Sequence, residues 1–418
     1  MFKFNVMIVR WLLFIAFIIC LQWYSSQALK TVFKNTWIQY GFYTINIAVV
    51  VNFILQITVL SKKGLMTPFF TYSFGLFLLL VIFQILIIFI LFFEDLFRIP
   101  QWFYHIFSKG FKQSFQHMPD RRLFISQMAL LLASIPASAL FLGMLRGKYN
   151  YKVINHQLTF SNLPSEFDDF KIAHISDFHC GSFDNHEKLK YGINMVMDQN
   201  PDIILFTGDM VNNIANEVLP WKDTLSQLSA PYGMYAVLGN HDYGDYVRWE
   251  SEEEKIANQK KLIELEKAMG FNVLLNSSVK VSKNDSSIRL VGVENWGSGG
   301  FKKNGDIDLA LKDVQEGEFK ILMSHDPSHW EEIVLNHPQH IDLTLSGHTH
   351  GMQFGIEIPG WIKWSPAKYR YKYWAGVYQE LDQIINVNRG FGFLAYPGRV
   401  GIYPEITIIK LKTAQNNT

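Results

Sequence analysis

Charge is what this chain has least of. Only 18% of its 418 residues are Asp, Glu, Lys or Arg, where a soluble enzyme carries about a quarter. Cysteine is almost absent, with only Cys20 and Cys180, so a disulfide-built scaffold is excluded. No repeat or low-complexity tract occurs, and a hydrophobic content of 49% excludes a disordered chain. Acidic residues are scarcest at the start. Residues 1–146 hold 12 Lys and Arg against 3 Asp and Glu, whereas residues 147–418 hold 26 against 34. The shortage of charge thus marks a greasy, basic module of residues 1–146. The rest, 147–418, reads as an acidic soluble domain long enough to bury its own core. A domain with that excess of acid does not bind nucleic acid by bulk charge.

Three uncharged stretches reach the roughly 20 apolar residues that cross a bilayer: 38–60, 69–93 and 123–145. A fourth, 7–23, is interrupted by Arg10. It reads either as a retained helix or as a signal peptide, with Ser26-Gln27-Ala28 as the cleavage signal. With four helices the chain is a multi-pass membrane protein. Orientation by positive residues ties. Lys3, Arg10, Lys62, Lys63, Arg146, Lys148 and Lys152 fall on one side, and Lys30, Lys34, Arg98, Lys109, Lys112, Arg121 and Arg122 on the other. Trp102, Phe103, Tyr104, Phe107, Phe111 and Phe115 lie among basic residues, as in an interfacial amphipathic helix or a loop packed on the bundle. Gln39, Asn46, Asn52 and Gln56 line a polar path or bond between helices. The spans show no paired charges of the kind that ion transport needs.

Beyond residue 146, short β-rich runs alternate with helical stretches. Strands are expected at 171–176, 203–207, 234–238, 288–293, 320–324, 341–345, 384–388 and 406–411, and helices at 186–199, 216–229, 251–269 and 328–336. This alternation indicates an α/β layered domain. Five of the strands stop at polar clusters: Ser176-Asp177-Phe178-His179, Thr207-Gly208-Asp209, Gly239-Asn240-His241-Asp242, Ser324-His325-Asp326 and Ser346-Gly347-His348-Thr349-His350. Strand ends in α/β sheets converge on one edge. Pooled carboxylate, imidazole and amide oxygen suit Mn²⁺, Fe²⁺ or Zn²⁺. Residues i and i+2 of an extended segment point the same way, so Asp177 with His179, and His348 with His350, can each grip an ion. Cys180 is out of that register, which disfavours a zinc–thiolate site.

These five clusters, in this order, resemble the calcineurin-like metallophosphoesterases, whose pattern is D-x-H, G-D, G-N-H-D/E, a lone His, then G-H-x-H. Asn388-Arg389-Gly390-Phe391-Gly392 and Pro404-Glu405-Ile406-Thr407 are similar to the ending of a bacterial membrane-associated, phosphodiesterase-like subgroup. The resemblance implies a four-layer sandwich, two mixed sheets flanked by helices, here preceded by an α-helical transmembrane bundle. It also implies two divalent metal ions. Asp177, His179 and His350 would hold one, Asn240, His325 and His348 the other, and Asp209 would bridge them. A metal-bound hydroxide would attack phosphorus. His241 would be the catalytic residue, stabilising transition-state charge or protonating the leaving oxygen; its bland reading is a structural hydrogen bond. Asp242 would orient a ligand or His241.

The chain departs from the pattern in places. Many phosphatase relatives carry an acid and an arginine shortly after G-D, but here Asn212 and Asn213 follow. That disfavours a phosphoprotein phosphatase and leaves His241 less strongly tuned. Met352 replaces a usual glycine. Arg389 or Arg399 would then meet substrate phosphate, the alternative for each being a structural role. In 361–374, Trp361, Trp364, Tyr369, Tyr371, Tyr373 and Trp374 alternate with Lys363, Lys368, Arg370 and Lys372. This run reads as the rim of a lipid-facing pocket or as a small aromatic core. The expectation is a membrane-anchored, dinuclear-metal phosphoesterase. Its substrate would be a phosphodiester, pyrophosphate or phosphomonoester of a membrane lipid or lipid-linked nucleotide, with no nucleic-acid or protein partner. Family analogy places the domain on the extracytoplasmic face rather than the cytoplasmic one. The rival is a non-catalytic receptor or scaffold keeping a metal site.

Overall fold

A computed structural model describes residues 2–60, 66–109, 119–358 and 360–414. The chain divides into two compact units, one of residues 1–60 and 72–142, the other of 61–71 and 143–418.

The first unit is four helices: α1 (Phe2–Val32), α2 (Thr36–Leu55), α3 (Pro68–Lys109) and α4 (Pro119–Leu145). Each contains a stretch long and apolar enough to cross a membrane: Val9–Val32, Thr36–Thr58, Pro68–Pro100 and Asp120–Leu145. Ser26-Gln27-Ala28 lies inside α1, where Ala28 packs with Ile87, Leu91, Ala129 and Ala133 of α3 and α4. The third apolar run is expected to stop at Phe93, before Glu94 and Asp95. The helix instead continues, because Arg122 of α4 meets both carboxylates and Tyr24 of α1 donates to Asp95 at 2.6 Å. Paired charges therefore join the ends of two spans, just beyond the uncharged stretches 69–93 and 123–145. Of the polar residues in α2, Asn46 accepts from Gln84 and Asn52 donates to Ser73, so both bond between helices. Phe103 and Phe107 are exposed on the last turns of α3, and Phe111 and Phe115 lie outside the described residues.

In the second unit, one six-stranded sheet is built from β1 (Lys152–Phe160), β2 (Lys171–Ile175), β3 (Ile203–Phe206), β4 (Met234–Ala236) and β5 (Phe271–Val273), with the last strand, β14 (Glu405–Thr413), inserted. The other holds β6 (Ser277–Lys283), β7 (Ser286–Gly292), β8 (Lys320–Met323), β9 (Leu343–Ser346), β12 (Gly376–Glu380) and β13 (Gln383–Val387). A separate hairpin joins β10 (Ile356–Ile358) to β11 (Ile362–Trp364). The orders are β1-β14-β2-β3-β4-β5 and β12-β13-β9-β8-β7-β6, each mixing parallel and antiparallel pairs.

Alternation along the strands explains the layering. Ile172 points between the sheets, where it joins Leu205, Leu290, Ile321, Leu343 and Ile409. Ala173 and Ile175 point outward, under Leu189 and Ile193 of α5 (His186–Met197) and Leu262 of α7 (Glu252–Ala268). The second sheet is covered by Ile307 and Leu311 of α8 (Ile307–Leu311) and Trp330 of α9 (Ser328–Glu332). The result is the four-layer sandwich. One expected helix, 216–229, is broken into a 3₁₀ turn at Ala215–Val218 and the short α6 (Lys222–Leu225). Pro220 lies between them, and its ring denies the helix an N–H.

Candidate metal centre

The carboxyl ends of β2, β3 and β4 from one sheet, and of β8 and β9 from the other, open onto one edge of the sandwich. Here the backbone curls sharply. Asp177 (φ 54°), His179 (φ 50°), Asp209 (φ 61°), His348 (φ 70°) and His350 (φ 49°) all adopt the left-handed conformation, which costs about 1–3 kcal/mol each. Main-chain bonds hold these bends: Asp177 N–H donates to Gly208 O at 2.8 Å, His179 N–H to Asp209 O at 3.1 Å, and Gly347 N–H to His325 O at 2.9 Å. Glycine is needed where loops touch. A Cβ on Gly239 would lie 2.2 Å from Asp209 Oδ1, and one on Gly347 2.4 Å from Asp177 Oδ2.

The structure gathers all seven ligand-type residues of the sequence motifs. Asp177, His179 and His350 form one cluster, with Nε2 of His179 and His350 3.0 Å apart and Asp177 Oδ1 3.2 Å from His350 Nε2. Asp209, His325 and His348 form another, with His325 Nε2 3.2 Å from His348 Nδ1. Asn240 Oδ1 lies 3.2 Å from His325 Nε2. Asp209 Oδ2 stands between the clusters, 3.5 Å from His179 Nε2 and 3.2 Å from His325 Nε2.

The electrostatics call for cations. Imidazole nitrogens face one another, and two carboxylates are fully buried beside them. Burial pushes the rings of His179 and His348 down, leaving the neutral form that ligates metal. His325 goes the other way. Burial would lower it, but the Asp209 carboxylate outweighs that and pulls it up to about 10, the mark of a place that favours positive charge. Asp177 is kept low: burial would raise it, but the His350 and His325 rings outweigh that. A donor set of neutral imidazoles, an amide oxygen and ionised carboxylates fits divalent ions.

His241 also reaches this edge. Its Nδ1 lies 2.7 Å from the carbonyl oxygen of Asn212 and so carries the proton, leaving Nε2 free. The missing acid at position 212 is thus replaced by that residue's own main chain. The Asp242 carboxylate accepts N–H bonds from Asp209 at 2.8 Å, Met210 at 2.9 Å and Gly239 at 2.8 Å, clamping two ligand loops together. Burial and then Asp209 push its carboxyl up to about 7.

Arg389 and Arg399 are committed to protein partners. Arg389 pairs with Glu405 and, at 2.6 Å, with Glu357. Arg399 is fully buried and donates to the carbonyls of Arg389 at 2.7 Å and Gly392 at 2.5 Å and to His350 Nδ1 at 3.0 Å.

Sequence reasoning gave no role to four neighbours. Asp326 Oδ2 lies 3.3 Å from His348 Nε2, and Tyr371 Oη lies 2.8 Å from the same atom. Such outer partners orient a ligating ring. Tyr246 accepts from Asn240 Nδ2 at 2.8 Å, turning the amide oxygen toward His325, and its ring packs against that of His241, tilted by 38° with centroids 4.5 Å apart. Glu217 accepts from Asn212 N–H at 2.5 Å and holds the loop that carries the His241 acceptor. Asp326 directly follows His325, the one available signal. The 361–374 run divides: Tyr373 and Trp374 are buried, Tyr371 touches the site, and Trp361 and Tyr369 are exposed.

Two clusters of ligand-type side chains with a carboxylate between them, at the strand ends of a four-layer sandwich, make a centre suited to divalent metals. Comparison with known proteins gives the family. The model described as Calcineurin-like phosphoesterase matches residues 170–352, and that described as Probable Calcineurin-like phosphoesterase, transmembrane domain, matches 9–148. Uncharacterized metallophosphoesterase YkuE of Bacillus subtilis is 32% identical over 309 residues, 70% of this chain and 98% of that protein. Phosphodiesterase YaeI of Escherichia coli is 26% identical over 264 residues, 62% of this chain and 88% of that protein. Transmembrane protein with metallophosphoesterase domain of Danio rerio is 27% identical over 297 residues, 69% of this chain and 62% of that protein. The chain belongs to the calcineurin-like metallophosphoesterases. It is a membrane protein and a phosphoric ester hydrolase of a family that uses divalent metals.

Proposed function

We propose that residues 1–146 anchor the chain in a bilayer, and that residues 147–418 hydrolyse a phosphodiester, pyrophosphate or phosphomonoester carried by a lipid or lipid-linked nucleotide. The observation that carries this reading is Asp209 Oδ2, set within 3.5 Å of a histidine from each cluster. Asp177, His179 and His350 would hold one ion, Asn240, His325 and His348 the other, with Asp209 shared; Mn²⁺, Fe²⁺ or Zn²⁺ suits this donor set. Bound ions would supply Lewis acidity for an in-line displacement at phosphorus.

The protein's own groups do the rest. Asp326 and Tyr371 fix the His348 ring. Arg399 braces His350, and Arg389 ties the strand-end loop to Glu405. The Asn212 carbonyl holds the Nδ1 proton of His241, so Nε2 is the atom that exchanges a proton with the leaving oxygen or faces the charge on phosphorus. The lipid assignment is supported by the four apolar spans and by exposed aromatics beside the site. We infer an extracytoplasmic catalytic unit, with the cytoplasmic face as the alternative, and protease accessibility in intact cells tests it.

The mechanism is tested with bis-p-nitrophenyl phosphate and Mn²⁺. Asp209→Asn should abolish turnover and lower metal content. His241→Ala should lower kcat by about 10²–10⁴-fold with metal retained. Unaltered turnover in both variants refutes the mechanism. A kcat/KM no higher for phospholipid or lipid-linked nucleotide in mixed micelles than for the soluble diester refutes the lipid assignment alone.

A further inference from the structure

The β10–β11 hairpin turns its charged residues to protein partners, although Lys363 itself stays exposed. Glu357 pairs with Arg389 at 2.6 Å, and Lys363 Nζ donates to the Ala375 carbonyl at 2.5 Å. Directly paired residues of an antiparallel ribbon share a face. Ile356 with Trp364, and Ile358 with Ile362, therefore share the opposite face, where Trp364 and Ile362 are half-buried and Ile356 and Ile358 of β10 stand out. Ile356 is 51% exposed and Ile358 42%. Trp361, in the turn, is 77% exposed, and Tyr369, just beyond the hairpin, 76%. A one-sided ribbon on a watery surface shows the reverse pattern, apolar in and polar out, and grouped exposed apolar side chains mark an interaction surface.

This ribbon is fastened to the metal-ligand loop. Ser365 Oγ, just past β11, donates to Gly351 O at 2.6 Å, Thr349 Oγ1 donates to Trp374 O at 2.7 Å, and Ala367, Trp374, Ala375 and Ile402 form a small core beyond the hairpin. Lys368 and Arg370 are exposed on the same segment, where the Arg370 guanidinium lies 5.4 Å from the Phe301 ring and Phe301 lies 4.8 Å from the His348 ring.

We propose that the outward face of this hairpin docks on a phospholipid bilayer. Ile356, Ile358 and Trp361 enter the glycerol and upper acyl region, Tyr369 sits at the boundary, and Lys368 and Arg370 meet lipid phosphates. Three features favour a bilayer over a protein partner. The chain's own spans keep a bilayer within reach of the tethered domain. Trp and Tyr with flanking Lys and Arg match the water–lipid boundary. The basic side chains complement anionic headgroups. The surface stands whether or not the metal centre acts on lipid, so its test uses no turnover.

The test takes the full chain with Cys20→Ser, which leaves only the buried Cys180. A single Ile358→Cys is labelled with an environment-sensitive dye, Trp361→Cys serves as a second probe site, and Leu309→Cys on α8, 53% exposed, is the control. The proteins are placed in phosphatidylcholine–phosphatidylglycerol vesicles. The proposal expects blue-shifted emission at both hairpin positions, strong quenching by doxyl groups on the lipid chains and shielding from aqueous iodide. The control should show the opposite. Hairpin labels that iodide reaches as freely as the control overturn it. Labels shielded from iodide yet untouched by doxyl lipid also overturn it, because a protein surface then covers the hairpin.

Discussion

The helical bundle and the catalytic unit both bury polar groups, but they pair them in opposite ways. In the bundle, unlike meets unlike. Arg122 bonds Glu94 and Asp95, Tyr24 donates to Asp95, Gln84 donates to Asn46, and Asn52 donates to Ser73. Such pairs compensate the loss of water by themselves. At the sandwich edge, like meets like. His179 faces His350, His325 faces His348, and Asp177 and Asp209 lie buried among them. Stability explains the first arrangement; only an added cation explains the second.

The largest effect that sharpens this contrast is metal uptake. Mn²⁺ at about 100 times its dissociation constant should stabilise the catalytic unit by about 5 kcal/mol when both sites fill. Hydrogen exchange should slow around residues 177–179, 207–212 and 346–350 and stay unchanged in the bundle. Equal protection of both regions breaks the contrast. Next comes Arg122→Leu, which leaves Glu94 with the longer contacts of Arg98 and Arg121, and Asp95 with that of Arg98 and the Tyr24 hydroxyl. The bundle should lose about 3 kcal/mol in a detergent-unfolding titration, and Mn²⁺ should not restore it.

Glu266 gives a smaller, pH-dependent effect. It is fully buried on α7 with neither carboxylate oxygen hydrogen-bonded. Burial, then the nearby Asp242 charge, push its carboxyl well above the usual 4.5. The folded protein therefore keeps a proton that the unfolded chain releases above that pH. Stability should fall by about 1.4 kcal/mol per pH unit as pH rises through this window. Glu266→Met should make the fall shallower in denaturant titrations at successive pH values, the remainder coming from Asp242 and Glu217, whose carboxyls burial also raises to about 7; an unchanged slope assigns the whole fall to those two. Smallest is Gln84→Leu, which removes an inter-helix bond and should cost the bundle about 1 kcal/mol in the same detergent assay.

Much of the fold was legible because buried strands are written as continuous apolar runs. Lys171–Ile175, Ile203–Phe206 and Lys320–Met323 lie where those runs do. The strands that were missed, β1, β5, β6, β10, β11 and β12, are half-exposed and mix polar with apolar residues. The third span was read too short because a carboxylate looks like a stop until its arginine, from another helix, is known.

The sequence by itself determined which side chains offer lone pairs, in what order, and that a basic apolar module precedes an acidic layered domain. Those are properties of composition and spacing. Tertiary structure alone decided how they meet. Left-handed bends at Asp177, His179, Asp209, His348 and His350 aim the donors, and ends of two different sheets bring them within about 3 Å of one another. It also gave His241 a backbone carbonyl where no acid is encoded, and consumed Arg389 and Arg399 as internal braces. The physical reason is the same in each case. A hydrogen bond or ion pair belongs to two groups that are distant in the chain, so neither residue alone reveals it.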